Sequence, residues 1–214
     1  MRDRRVATCL SIILWVLPLF AQSAKVERIG AAPAAVASNL TAAIEGKGYR
    51  VTLDDGWTAD LWLARDLKLS EHDAPGALYP ELSNSEFVGV LSVPKGMSDF
   101  RGQALPAGTY TLRYQLLPQD ANHLGVSPNP DFLLAISIAN DTKPDAVYPF
   151  DKLVALSSKA TGAHPAVIAM DTAGDPGTAV FDDQKQLVIT VTAGGPAGSK
   201  GRTLGILLKG QAAQ

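Results

Sequence analysis

Residues 99–134 read DFRGQALPAGTYTLRYQLLPQDANHLGVSPNPDFLL. Within them lies the clearest strand in the chain, Gly108 to Leu116. Tyr110, Leu112, Tyr114 and Leu116 alternate with Thr109, Thr111, Arg113 and Gln115. This period of two, rich in aromatic and branched side chains, predicts a half-buried antiparallel strand. Pro106-Ala107-Gly108 starts it, since proline fixes φ and glycine permits the turn. Beyond Leu116, a loop of about fifteen residues carries Asp120, Asn122, His123 and Asp131 among three prolines. The apolar run Phe132 to Ile138 follows as a buried strand.

Outward from this stretch the same signals recur. Tyr49 to Leu53 and Trp57 to Leu63 flank Asp54-Asp55-Gly56, a strong hairpin pattern. Trp57, Ala59, Leu61 and Leu63 share one face; Asp60 and Trp62 share the other. Further strands are predicted at Phe87–Val93, 166–170, 187–192 and 203–209, the last two forming a hairpin. Two helical patterns interrupt them. Residues 33–45 place Val36, Leu40, Ala43 and Ile44 at helical spacing, and 148–158 places Phe150, Leu153, Val154 and Leu156 on one face with Asp151 as a cap. About eight strands, frequent turn signals and no βαβ alternation predict a mainly β fold. The expectation is an antiparallel β-sandwich, jelly-roll or Ig-like, with a short N-terminal helix and one short inserted helix.

The amino terminus reads as an address. Arg2, Arg4 and Arg5 precede an apolar run, Val6 to Phe20, and then Ala21-Gln22-Ser23 offers small residues for cleavage. The run is shorter than the ~20 residues a spanning helix needs. The expected organisation is therefore a signal peptide over 1–23, a helical segment over 24–48 and a β-sandwich domain over 49–210. No membrane span is expected after cleavage, and the expected location is periplasmic or secreted. The one cysteine, Cys9, lies in the signal, so the mature chain has neither disulfide nor thiolate. Removing three of 19 basic and one of 21 acidic residues leaves a net charge of −4. With no basic run remaining, nucleic acid is a poor partner.

Candidate chemistry concentrates in the loops. Asp120, His123 and Asp131 offer mixed oxygen and nitrogen ligands to a divalent metal, although their spacing matches no established zinc or calcium motif. Arg101 presents a planar fork for a carboxylate or phosphate, with Asp99 to orient it or to pair with it structurally. Trp62 offers a stacking face for a sugar ring, packing beneath the N-terminal segment being the alternative. Residues 171–182 have the length of a calcium loop but carry Ala173 and Pro176 at two defining positions. No Gly-x-Ser-x-Gly elbow or His-Glu-x-x-His helix is present.

The segments Asp99–Gln103, Pro106–Tyr114 and Asn122–Gly125 resemble a group of uncharacterised secreted bacterial proteins. The phrase Pro-Ala-Gly-Thr-Tyr-Thr-Leu also resembles a broader family of secreted β-sandwich domains of unknown function, where it begins a central strand. The resemblance spans residues 87–134. It implies the fold and the exported address and transfers no catalytic residue. The sequence therefore favours an exported binding or accessory module, with Arg101, His123, Asp131 and Trp62 as ligand-binding candidates. A small molecule, a glycan or an envelope protein is the expected partner. A metal-dependent or other hydrolase using the 99–103 and 118–131 loops is the first alternative, and a structural envelope protein the second.

Overall fold

In the computed structural model, which describes residues 23–70, 74–118, 127–195 and 200–210, the alternating segments form strands as the pattern requires. In chain order these are β1 (Ala24–Ile29), β2 (Gly48–Leu53), β3 (Thr58–Leu63), β4 (Phe87–Val93), β5 (Met97–Ser98) and β6 (Ala104–Leu105). They continue with β7 (Gly108–Leu116), β8 (Asp131–Ser137), β9 (Ala166–Asp171), β10 (Thr178–Phe181), β11 (Leu187–Ala193) and β12 (Arg202–Lys209). Two helices, α1 (Ser38–Ala43) and α2 (Phe150–Thr161), lie between them.

Ten strands make one antiparallel sheet in the order β1-β2-β3-β4-β7-β8-β9-β12-β11-β10, and β5 and β6 form a small hairpin of their own. The edge strands β1 and β10 lie against each other, so the sheet curls most of the way into a barrel. The expectation of a mainly β, antiparallel chain with two helices holds. Two opposed sheets are not what forms. Seven of the strands follow one another as neighbours, and the carboxy-terminal three return to bring β10 beside β1. Alternation in sequence shows that one face of a strand is buried, not whether a second sheet or the same sheet buries it.

The inward face is one continuous apolar cluster that includes Val51, Leu61, Leu91, Leu112, Leu133, Ile168, Ile189 and Ile206. The β2–β3 turn forms where Asp-Gly was read. Gly56 takes φ 72°, and the Asp55 carboxylate accepts the Trp57 N–H at 2.8 Å. At Gly89 the register between β4 and β7 shifts, and the Trp62 carbonyl approaches so closely that a Cβ would meet it at 2.3 Å.

Three other expectations change. Residues 24–29, expected within a helical segment, form strand β1, which extends the sheet beyond β2; α1 covers only six residues. β10 was not legible as a strand. The inserted helix runs 150–161, and its N-cap is Pro149, with Asp151 inside the first turn and making no cap bond. There Asp151 favours the helix through the macrodipole. The helix ends at Gly162 (φ 79°), whose N–H donates to the Ser158 carbonyl.

The outward face of the central strands is also covered. α2 packs Leu153 against Phe132, Leu134, Ile136 and Val167. Its Ser157 hydroxyl donates to the Ala135 carbonyl and accepts the Ala166 N–H, at 2.8 and 2.9 Å, tying the helix to both β8 and β9. β7 is buried on both faces as well, its outward side lying beneath residues 139–148, whose Asp141, Lys143 and Ala146 bond Arg113. The polar face of its pattern, Thr111, Arg113 and Gln115, is as inaccessible as the apolar one.

Candidate functional site

The carboxylates read from the sequence serve the backbone. Asp99 is fully buried, and its oxygens accept the N–H groups of Arg101, Gln103 and Val167 at 3.0, 2.8 and 3.3 Å. It thereby folds the 99–103 turn and fastens it to β9. Arg101 stands 3.9 Å from Asp99 and donates to the Pro165 carbonyl at 2.8 Å, the loop-clamp arrangement.

Asp131 is buried too. It accepts the Leu78 and Tyr79 N–H groups at 2.7 and 3.0 Å and the Tyr114 hydroxyl at 2.7 Å. Burial, with Asp131 second, pushes the Tyr114 phenol far up, so it remains a hydrogen-bond donor. Asp131 thus fastens the 74–79 segment over the end of β7 and does not face an open cleft. Asp120 and His123, its partners in the expected metal set, lie outside the described residues.

Trp62 is 2% exposed and its indole N–H donates to the Gly30 carbonyl at 2.8 Å. Lying under the segment between β1 and α1, it offers no face to a sugar ring.

One buried ion pair was not singled out from the sequence. Arg113 and Asp141 meet through two bonds of 2.8 and 2.9 Å, with both side chains excluded from solvent. The remaining guanidinium donors reach the carbonyls of Ser85, Lys143, Pro144 and Ala146, and Thr111 donates to Asp141 at 2.7 Å. Phe87 and Tyr148 flank the cation. All of these groups are internally satisfied, so the cluster pins the 139–148 segment onto the sheet and leaves nothing to offer a ligand.

Two cavities among the described residues, of about 860 and about 660 Å³, have the volume to hold a small molecule with room to spare. One, of about 860 Å³, lies between α1 and the 143–146 segment and is lined by Asp66, Lys68, Glu86, Phe87, Lys143 and Asp145. Lys68 pairs there with Asp145 at 3.3 Å, and Glu86 accepts the backbone N–H of Lys68 at 2.8 Å. Burial raises the Glu86 carboxyl above its usual range, opposed by that N–H.

The other cavity, of about 660 Å³, opens at one end of the barrel. Trp57, Met97, Leu105, Pro106 and Leu208 give it an apolar lining. Leu105 and Leu208 are buried, whereas Trp57 and Met97 are half-exposed, and the Trp57 indole is held by a 2.9 Å bond to the Gly96 carbonyl. The charged residues that line it are Lys95, Lys185 and Lys209, and no carboxylate is among its walls. An aromatic wall, an apolar floor and three lysines at the rim with no carboxylate among the walls make this the better binding site. Part of this site is legible in the sequence as a tryptophan next to a hairpin turn. The remaining walls come from four segments spread from Lys95 to Gly210.

Comparison of the chain with protein-family models, with curated proteins and with solved structures finds no match.

Proposed function

We propose that this chain is an exported binding or accessory module that holds a small molecule in the cavity beside Trp57. The carrying observation is that cavity, whose apolar walls and half-buried indole stand at one end of the near-barrel. The described carboxylates of the alternative hydrolase site, Asp99 and Asp131, are bonded to backbone N–H groups, which favours binding over catalysis. The signal pattern and the resemblance of residues 87–134 support export, and a cut after residue 23 would leave β1 whole.

The test is a neutral apolar dye, Nile red, added to the mature protein. One equivalent should bind, and Ala107→Trp, placed at an exposed wall position, should narrow the cavity and weaken binding without lowering the melting temperature. Dye binding unchanged in Ala107→Trp would overturn the reading. Amino-terminal sequencing of the exported protein tests the address. A mature chain beginning near residue 24 is expected, and a retained leader would count against it.

A further inference from the structure

The rim of the Trp57 cavity carries more information than its volume. Three cations meet there from separate parts of the chain: Lys95 from the turn after β4, Lys185 from the turn between β10 and β11, and Lys209 from the end of β12. Lys95 donates to the Gly56 carbonyl at 2.8 Å, which fixes its stem beside Trp57 without neutralising it. Lys209 lies 3.5 Å from Asp55, an exposed carboxylate beyond the walls that offsets part of its charge and, from farther off, part of that of Lys95. Lys185 is exposed and makes no ion pair among the described residues. The turn holds it at φ 61°, with its N–H donating to the Asp182 carbonyl, so its position is set by backbone geometry. This rim is positive on a mature chain whose net charge is −4.

We propose that the cavity takes a small amphipathic anion, with its apolar body against Trp57, Met97, Leu105 and Leu208 and its anionic head among the three lysines. The inference rests on the binding reading above. An apolar floor gains from burying hydrocarbon and has no use for a fully polar ion. The ammonium groups complement a head of one negative charge and disfavour a cationic one. Lysine, a compact charge on a flexible stem, suits a head whose position varies with the length of the body, unlike the fixed fork of arginine.

Calorimetric titration of the mature protein with decanoate, decan-1-ol and decyltrimethylammonium, each below its micelle-forming concentration, separates the two ideas. At a solvent-exposed rim each lysine contributes about threefold in affinity. Decanoate should therefore bind roughly tenfold or more tightly than decanol, and the cation more weakly than either. Lys185→Gln should cut the preference for decanoate over decanol about threefold. In wild type the preference should shrink as salt is raised to about 0.5 M, an arm that decides the matter if the variant is poorly folded. Decanoate binding should weaken in Ala107→Trp, as Nile red binding does. Equal affinities for all three probes, or a preference indifferent to salt and to Lys185→Gln, would overturn the anionic ligand and leave the binding reading standing. Binding of none of them, with Nile red also excluded, would remove both. Decanoate bound equally by Ala107→Trp would place the anion elsewhere and overturn the proposal.

Discussion

Arg113 and Asp141 form a fully buried ion pair that is costly to disturb. Both are removed from water, and each satisfies the other while the guanidinium also supplies backbone carbonyls of the 139–148 segment. Asp141→Ala leaves a buried cation without its counter-ion and should destabilise the fold by about 3–5 kcal/mol in urea unfolding. A loss below ~1 kcal/mol would show that the 139–148 segment opens freely to solvent. Replacing both residues with apolar ones is often neutral for a buried pair. Here it should not be, because the carbonyls of Ser85, Lys143 and Ala146 would lose their donor. Glu86 gives the corresponding prediction in pH. Its carboxyl is raised in the folded chain by burial, so the folded state holds the proton more tightly than the unfolded state does. The resulting stabilisation is complete below the unfolded value of about 4.5 and is lost as pH rises through the folded value. Glu86→Gln keeps an oxygen for the Lys68 N–H and cannot ionise. It should be more stable than wild type at neutral pH, with a flatter profile through the mildly acidic range. Parallel pH profiles for the two proteins would refute this.

At the scale of elements, α2 shows how much a local pattern settles. Its apolar positions lie three and four apart, so a helix forms with one face fit for the outer side of β8 and β9. Its end is set by Gly162 in the left-handed region, where a Cβ would meet nothing within 4 Å. The cost of Gly162→Ala is then conformational alone, about 1 kcal/mol, read as a small fall in melting temperature with the fold unchanged. An unchanged melt would mean that the helix end rearranges. The hairpin of β2 and β3 was similarly legible, because Asp-Gly supplies the turn and alternation supplies the faces. β1 was not. AKVERI has one strong apolar residue on each side of a charged pair, and as an edge strand it buries little. β10, four residues with Val180 left 58% exposed, carries equally little signal.

Those two weak strands decide the shape of the whole molecule. They are the sheet edges, and their approach turns ten strands into a near-barrel with one interior. Nothing in the strong central strands distinguishes that outcome from two packed sheets, since either buries the same alternating residues. The closing of the sheet also assembles the proposed site. The β2–β3 turn, the 95–107 hairpin and the outer ends of β11 and β12 converge at one end of the barrel, bringing Trp57 within one cavity of Leu208.

The sequence by itself determined the β character, the positions of the strong strands, the turn at Asp54-Asp55-Gly56, and the burial of one face of each strand. These follow from side-chain period and backbone permissiveness, which are local. Only the tertiary structure decided that Arg113, on the polar face of its strand, is buried, because its cover is supplied from residues 139–148. Likewise, Asp99 and Asp131 look like free carboxylates until the backbone groups that fill them are placed. The lysine-rimmed cavity exists only where strand ends distant in the chain meet, and long-range pairing, unlike alternation, leaves no mark in any one stretch of residues.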